Sequence, residues 1–113
     1  MSELHADHPY DALLPEVVLN AIESQGFHLT GSLLALNSYE NRVYQIELDS
    51  GEFLVAKFYR PDRLSNEAII EEHQFIQELE EQEIPLVAPL SHNQQSLFSY
   101  NEFRFALYPR VGG

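Results

Sequence analysis

Two charged residues stand apart from the pattern around them. Lys57, the only lysine of the chain, sits in the apolar run Leu54-Val55-Ala56-Lys57-Phe58. Strand side chains alternate faces, so Phe53, Val55 and Lys57 share one side. A solubilising lysine belongs at an edge or a turn. One in the middle of such a row either snorkels, its stem covering apolar surface, or holds an anion. Glu72 follows fifteen residues later. Ala68, Ile69, Phe75 and Ile76 lie three or four residues to either side of it, offsets that project to one helical face. The other acids of this stretch, Glu71, Glu78 and Glu81, fall off that stripe. A carboxylate directed at a core needs a partner, because an unpaired buried charge is costly. The alternative is a glutamate at the edge of the stripe that reaches water. Taken with the lone cation on the preceding strand, the expectation is a Lys57–Glu72 ion pair. A third feature is the loop Ser38-Tyr39-Glu40-Asn41-Arg42. Its backbone N–H groups could face an anion, Ser38 adds a hydroxyl donor, and Asn41 tolerates left-handed backbone. A plain hairpin turn is the alternative there.

These residues need elements to hold them. Residues 1–14 read as a flexible lead-in. Pro15 could open a helix that carries Val17, Val18, Ala21 and Ile22 inward and ends at Gly26. Leu33–Asn37, Val43–Leu48 and Glu52–Tyr59 read as strands, the last two joined by the turn Asp49-Ser50-Gly51. Ser65 caps a long helix that runs to about Gln82, with Pro85 beyond its end. Ala88–Ser91, Ser96–Tyr100 and Phe103–Tyr108 read as further strands. Short turns make neighbouring strands antiparallel. The fold expected over 15–113 is α+β: an antiparallel sheet of about five strands, an N-terminal helix, and one long helix covering one face.

Composition narrows the class. The chain has 113 residues, 44% of them hydrophobic, enough for one ordinary core. There is no cysteine, hence no disulfide framework and no thiolate zinc site. No apolar stretch is long enough for a membrane span, and the first residues lack an apolar signal core, so a cytoplasmic protein is the default. Six basic residues against eighteen acidic ones give a net charge of −12, which weighs against nucleic-acid binding. One local cation can still outweigh the global field at short range and hold a phosphate. An acidic protein-interaction domain, with Glu71, Glu78, Glu80, Glu81 and Glu83 as its contact face, is the competing reading. Lys57 and Glu72 in apolar patterns argue against it. His5-Ala6-Asp7-His8 could bind a stray metal, but nothing else supports a site there.

The order loop, lysine strand, glutamate helix resembles the amino-terminal lobe of the protein-kinase-like fold. Leu36-Asn37-Ser38-Tyr39-Glu40-Asn41-Arg42-Val43-Tyr44-Gln45, Val55-Ala56-Lys57-Phe58-Tyr59-Arg60-Pro61 and Glu71-Glu72-His73-Gln74-Phe75 resemble the bacterial stress response kinases of the RdoA/YihE family. These serine/threonine kinases are related to the aminoglycoside phosphotransferases and choline kinases. The resemblance covers roughly residues 14–113. It implies an ATP site in which Ser38 and Asn41 belong to the phosphate loop, and Val43 and Val55 contact the adenine. Lys57 would hold the α- and β-phosphates, and Glu72 would orient Lys57. It also implies a hinge at Tyr108-Pro109-Arg110-Val111, where the Pro109 C=O accepts from the adenine amino group and the Val111 N–H donates to a ring nitrogen. ATP with Mg2+ and a protein substrate are the implied partners. The resemblance places the catalytic Asp, the Asn and the metal-holding Asp after Gly113. The chain alone is therefore expected to be inactive, with no catalytic or metal-ligating residue of its own. The exposed face is expected to favour self-association. The phosphate loop departs from the classical kinase pattern by having no glycine.

Overall fold

The computed structural model describes residues 10–36, 41–61, 64–82 and 87–110. Helix α1 (Pro15–Glu23) starts at its proline, where the missing N–H leaves no bond unmade, and buries Val18, Ala21 and Ile22. The strands are β1 (Leu29–Leu36), β2 (Arg42–Leu48), β3 (Phe53–Phe58), β4 (Phe98–Tyr100) and β5 (Phe103–Pro109), with helix α2 (Asn66–Glu81) between β3 and β4. They form one antiparallel sheet in the order β1-β2-β3-β5-β4. The α+β class and five-stranded antiparallel sheet expected from sequence are what the chain forms.

The helices do not share a face, as the sequence pattern suggested one covered side only. Along β3, Leu54, Ala56 and Phe58 are buried while Phe53, Val55 and Lys57 are half-buried. The first set joins Val18, Ala21 and Ile22 of α1, Ile46 of β2, and Phe103, Phe105 and Leu107 of β5 in the main core. Phe58 stacks on Phe105, ring centroids 4.9 Å apart. The second face carries a smaller cluster in which Ile69 of α2 packs on Tyr59 and Ala106. Helix α1 thus closes the apolar face, and α2 covers only the Tyr59 end of the other. Among the described residues, Val43, Val55 and Lys57 on the rest of that face are only half-buried.

Of the lead-in, residues 1–9, with His5-Ala6-Asp7-His8, lie outside the described residues. Within residues 10–14 two side chains are anchored: Leu13 is buried, and the Tyr10 hydroxyl donates to the Phe58 carbonyl over 3.4 Å. Strand β1 begins earlier than its alternation suggests. Gly31 has φ +98, and the register with β2 shifts between Leu29 and Leu33. That irregularity breaks the two-residue period and hides the first half of the strand. Ala88–Ser91, expected as a strand, is irregular instead. Its Leu90 N–H does reach the Leu107 carbonyl at 2.7 Å, but Pro89 has no N–H with which to continue a ladder.

Candidate functional site

Strand pairing brings three of the expected site residues, Val43, Val55 and Lys57, onto one surface. Val43 is the direct partner of Lys57 across β2 and β3, and Val55 is two residues from Lys57 on the same face. Ala106 and Tyr108 of β5 lie opposite Lys57 and Val55. All of these except Ala106 are partly exposed. The result is a shallow apolar platform with a single ammonium at its α2 end. Such a surface suits a flat apolar ring that carries an anionic tail.

Helix α2 is placed by its cap and by β5. The Ser65 hydroxyl accepts from the Ala68 N–H over 3.1 Å, satisfying one of the helix's first donors. The Arg104 guanidinium donates to the Leu64 carbonyl and, over 3.0 Å, to Asn66 Oδ1. The residues α2 buries are Ile69 and His73. Ala68 and Glu72 are exposed, and Phe75 is 60% exposed. The stripe is therefore turned from the expected one, and Glu72 stands at its margin instead of inside it. Lys57 and Glu72 form no direct ion pair; the Lys57 ammonium sits 5.1 Å above the Tyr59 ring. Both charges nonetheless act on the same place. Glu72 favours protonation of His73 and Lys57 opposes it.

That place is a buried polar group not foreseen from sequence. His73 is 1% exposed. Its Nε2 is 2.9 Å from the Tyr59 hydroxyl and its Nδ1 is 2.8 Å from the Ser96 hydroxyl. A neutral imidazole has one donor and one acceptor nitrogen, so both hydroxyls can be met. Burial holds the His73 pKa below its ordinary value, with the Lys57 charge adding to the effect. Burial likewise pushes the Tyr59 hydroxyl up, reinforced by Tyr108 and Glu72, and pushes Tyr108 up as well. The available sequence signal was spacing: His73 lies four residues after Ile69, one helical turn.

Asn41 lies immediately before β2. Its Oδ1 accepts from the Arg60 N–H at 3.4 Å, tying the end of the preceding loop to the end of β3. It is not among the residues with positive φ, so its role in the backbone is that of a side-chain acceptor and not a left-handed hinge. Pro109 ends β5 opposite Leu54, and the Arg110 guanidinium lies 5.0 Å over the Phe53 ring. These residues border an open cavity of about 420 Å³ at the start of β3. Ser38 and Val111 lie outside the described residues. Among the described residues, no three carboxylate, imidazole or thiol groups converge on a metal position. No helix among them is long and apolar enough to cross a membrane.

A five-stranded sheet with a lysine on its third strand and a glutamate-bearing helix next in sequence is the arrangement of a kinase-like amino-terminal lobe. The solved structure of amicoumacin kinase hAmiN in complex with AMP-PNP, Ca2+ and Ami has that fold. It superposes with a TM-score of 0.75 over 96% of this chain and 34% of its own, at 19% identity. Residues 32–113 match the Phosphotransferase enzyme family, and the chain belongs to it. Among curated proteins it is 44% identical over 104 residues to stress response kinase A of Salmonella choleraesuis. It is equally similar to serine/threonine protein kinase RdoA of Salmonella typhimurium, and 41% identical to stress response kinase A of Escherichia coli K12. Each alignment takes in 92% of this chain and 32% of the relative, so the chain spans about a third of those proteins. The resemblance in the quoted segments thus extends over nearly the whole chain.

Proposed function

We propose that this chain is the nucleotide-orienting part of an ATP-dependent kinase that phosphorylates protein serine or threonine hydroxyls. The observation that carries the reading is the shared face of Val43, Val55 and Lys57, left open beside the helix that bears Glu72. In this reading the adenine lies against Val43 and Val55. The Pro109 carbonyl and the Val111 N–H meet its edge, and Lys57 holds the α- and β-phosphates. Ser38 and Asn41 close over the phosphates, and Glu72 orients Lys57 once the triphosphate draws the ammonium away from Tyr59. The relatives' names and the family support a phosphotransferase acting in stress response. The neighbour's complex with AMP-PNP and Ca2+ supports a nucleotide accompanied by a divalent ion.

Mg2+ would enter with the triphosphate, held by carboxylates in the part of the relatives that this chain does not span. It would neutralise charge on the transferred phosphoryl group. What this chain contributes is position: one cation and one apolar shelf on a shared face, the kind of arrangement from which phosphoryl transfer draws its rate. A protein substrate and a cytoplasmic setting follow from the same reading. So does self-association of the 113-residue chain through its open face, which sedimentation at high concentration reads directly. NMR titration of the chain with AMP-PNP and Mg2+ tests the site. Shifts confined to Val43, Val55, Lys57 and Pro109's neighbours support it; shifts elsewhere, or none, refute it.

A further inference from the structure

The Tyr59–His73–Ser96 bridge sits beside the proposed phosphate-holding pair. Tyr59 is two residues beyond Lys57, on the same side of the chain; His73 is the residue after Glu72. The 2.9 Å bond between Tyr59 and His73 therefore joins the two elements one step from where Lys57 and Glu72 must meet. Ser96, 2.8 Å from the other ring nitrogen, ties the same imidazole to the segment before β4. Ile69, one turn earlier on α2, is buried against Tyr59 and Ala106. Ser65 and Arg104 fix only the start of the helix. Among the described side chains, His73 alone gives the middle of α2 a directional tie on two sides. An apolar contact such as that of Ile69 permits rotation; two directional hydrogen bonds to a buried ring resist it.

We propose that His73 is a positioning residue: by bridging Tyr59 and Ser96 it sets the rotation of α2 about its axis, and with it the reach of Glu72 to Lys57 when nucleotide binds. This rests on the reading of Lys57 as the phosphate-binding residue. The bridge is neutral and centred on a buried ring, whereas the pair it serves is charged, with Lys57 half-buried and Glu72 exposed. That division of labour is physically sensible. Charges in reach of water hold geometry poorly because water and salt screen them, while hydrogen bonds to a buried ring are costly to leave unmade.

The test measures AMP-PNP affinity, with Mg2+, on the full 113-residue chain by NMR or calorimetry. His73→Leu is expected to weaken binding by about tenfold, the loss of roughly one buried anchor. His73→Gln, which keeps a donor and an acceptor, is expected to recover most of that loss. The decisive readout is a cycle: Glu72→Gln weakens binding in the wild-type background and does nothing further in His73→Leu. A merely structural histidine would lower stability in both backgrounds and leave the Glu72 effect intact. If Lys57→Ala weakens binding while His73→Leu and His73→Gln both bind like wild type, the positioning role is wrong and the site reading stands. If Lys57→Ala binds like wild type, or the wild type does not bind, the site reading fails and takes this inference with it. Should His73→Leu not fold, Tyr59→Phe, which removes one arm of the bridge and keeps the ring, is run through the same cycle.

Discussion

Val43 lies directly opposite Lys57 across β2 and β3. An apolar branch and an ammonium are thereby one strand spacing apart, on the face that α2 covers only at its Tyr59 end. This pairing separates two kinds of contact that a nucleotide would make. Lys57→Met keeps the unbranched stem and removes the charge. Affinity for AMP-PNP is expected to fall by about tenfold or more, as for a lost hydrogen bond to a charged group, while affinity for adenosine is unchanged. Calorimetric titration of both ligands checks this; equal losses for the two would mean that Lys57 does not touch phosphate.

The buried cluster around His73 predicts how stability changes with pH. Folding keeps His73 neutral below its ordinary value of 6.5, because burial and the Lys57 charge both oppose protonation. The unfolded chain then binds more protons than the folded one as the pH falls below about 6.5, so stability declines from there towards the lowered folded value. Tyr59 and Tyr108 act at the other end. Their folded pKa values are raised above 10.0, so their contribution is intact below about pH 10 and is lost above it. Urea midpoints across this range should form a plateau with two shoulders. His73→Gln should flatten the acidic shoulder above the range where carboxylates titrate.

Much of this was readable from residue order. Apolar alternation in β3, the Ser65 cap and Pro15 at the start of α1 are local signals, and each element formed where its signal lay. The face shared by Val43, Val55 and Lys57 followed from a two-residue period and a short turn. The rotation of α2 did not. Helical spacing defines a stripe about a hundred degrees wide but not its centre. Phe75 drew the expected centre toward Glu72, and the chain instead buried His73, whose polarity is met by Tyr59 and Ser96. Those partners lie 14 and 23 residues away, beyond any local pattern.

The start of α2 is an exposed but specific joint. Ser65→Ala removes the oxygen that accepts from the Ala68 N–H, and should cost about 1 kcal/mol, the usual loss for a helix cap. Arg104→Met should add to it, since its guanidinium holds both the Leu64 carbonyl and Asn66. The two effects should not sum fully, because both restrain the same turn. Thermal or urea unfolding of the two single variants and the double variant measures this.

The main core offers a larger effect. Phe105 is fully buried, with its ring 4.9 Å from Phe58 and 5.5 Å from Phe98. Phe105→Ala removes a ring from the centre of the sheet face that α1 covers, at a cost of about 3–5 kcal/mol. A loss below about 1 kcal/mol in urea unfolding would mean that the β5 side of this core is far looser than its burial implies.

The turn between β4 and β5 carries strain that a single substitution should relieve. Asn101 and Glu102 connect the two strands with φ of 49° and 72°. Two successive left-handed residues make the tight hairpin turn whose twist matches that of the strands, and asparagine followed by glycine is its preferred pair. Asn101 fits the first position. Glu102 occupies the second with a Cβ in a region that disfavours it. Its side chain is exposed, so removing it leaves no core contact unmade. Glu102→Gly loses some stability by making the unfolded chain freer, by about 0.4–1 kcal/mol, and gains about 1–2 kcal/mol by relieving the left-handed backbone. The net expectation is a small rise in unfolding midpoint with nucleotide affinity unchanged, since the turn lies at the sheet edge away from Lys57. A lower midpoint would show that the Glu102 side chain stabilises the hairpin by more than its backbone strain costs.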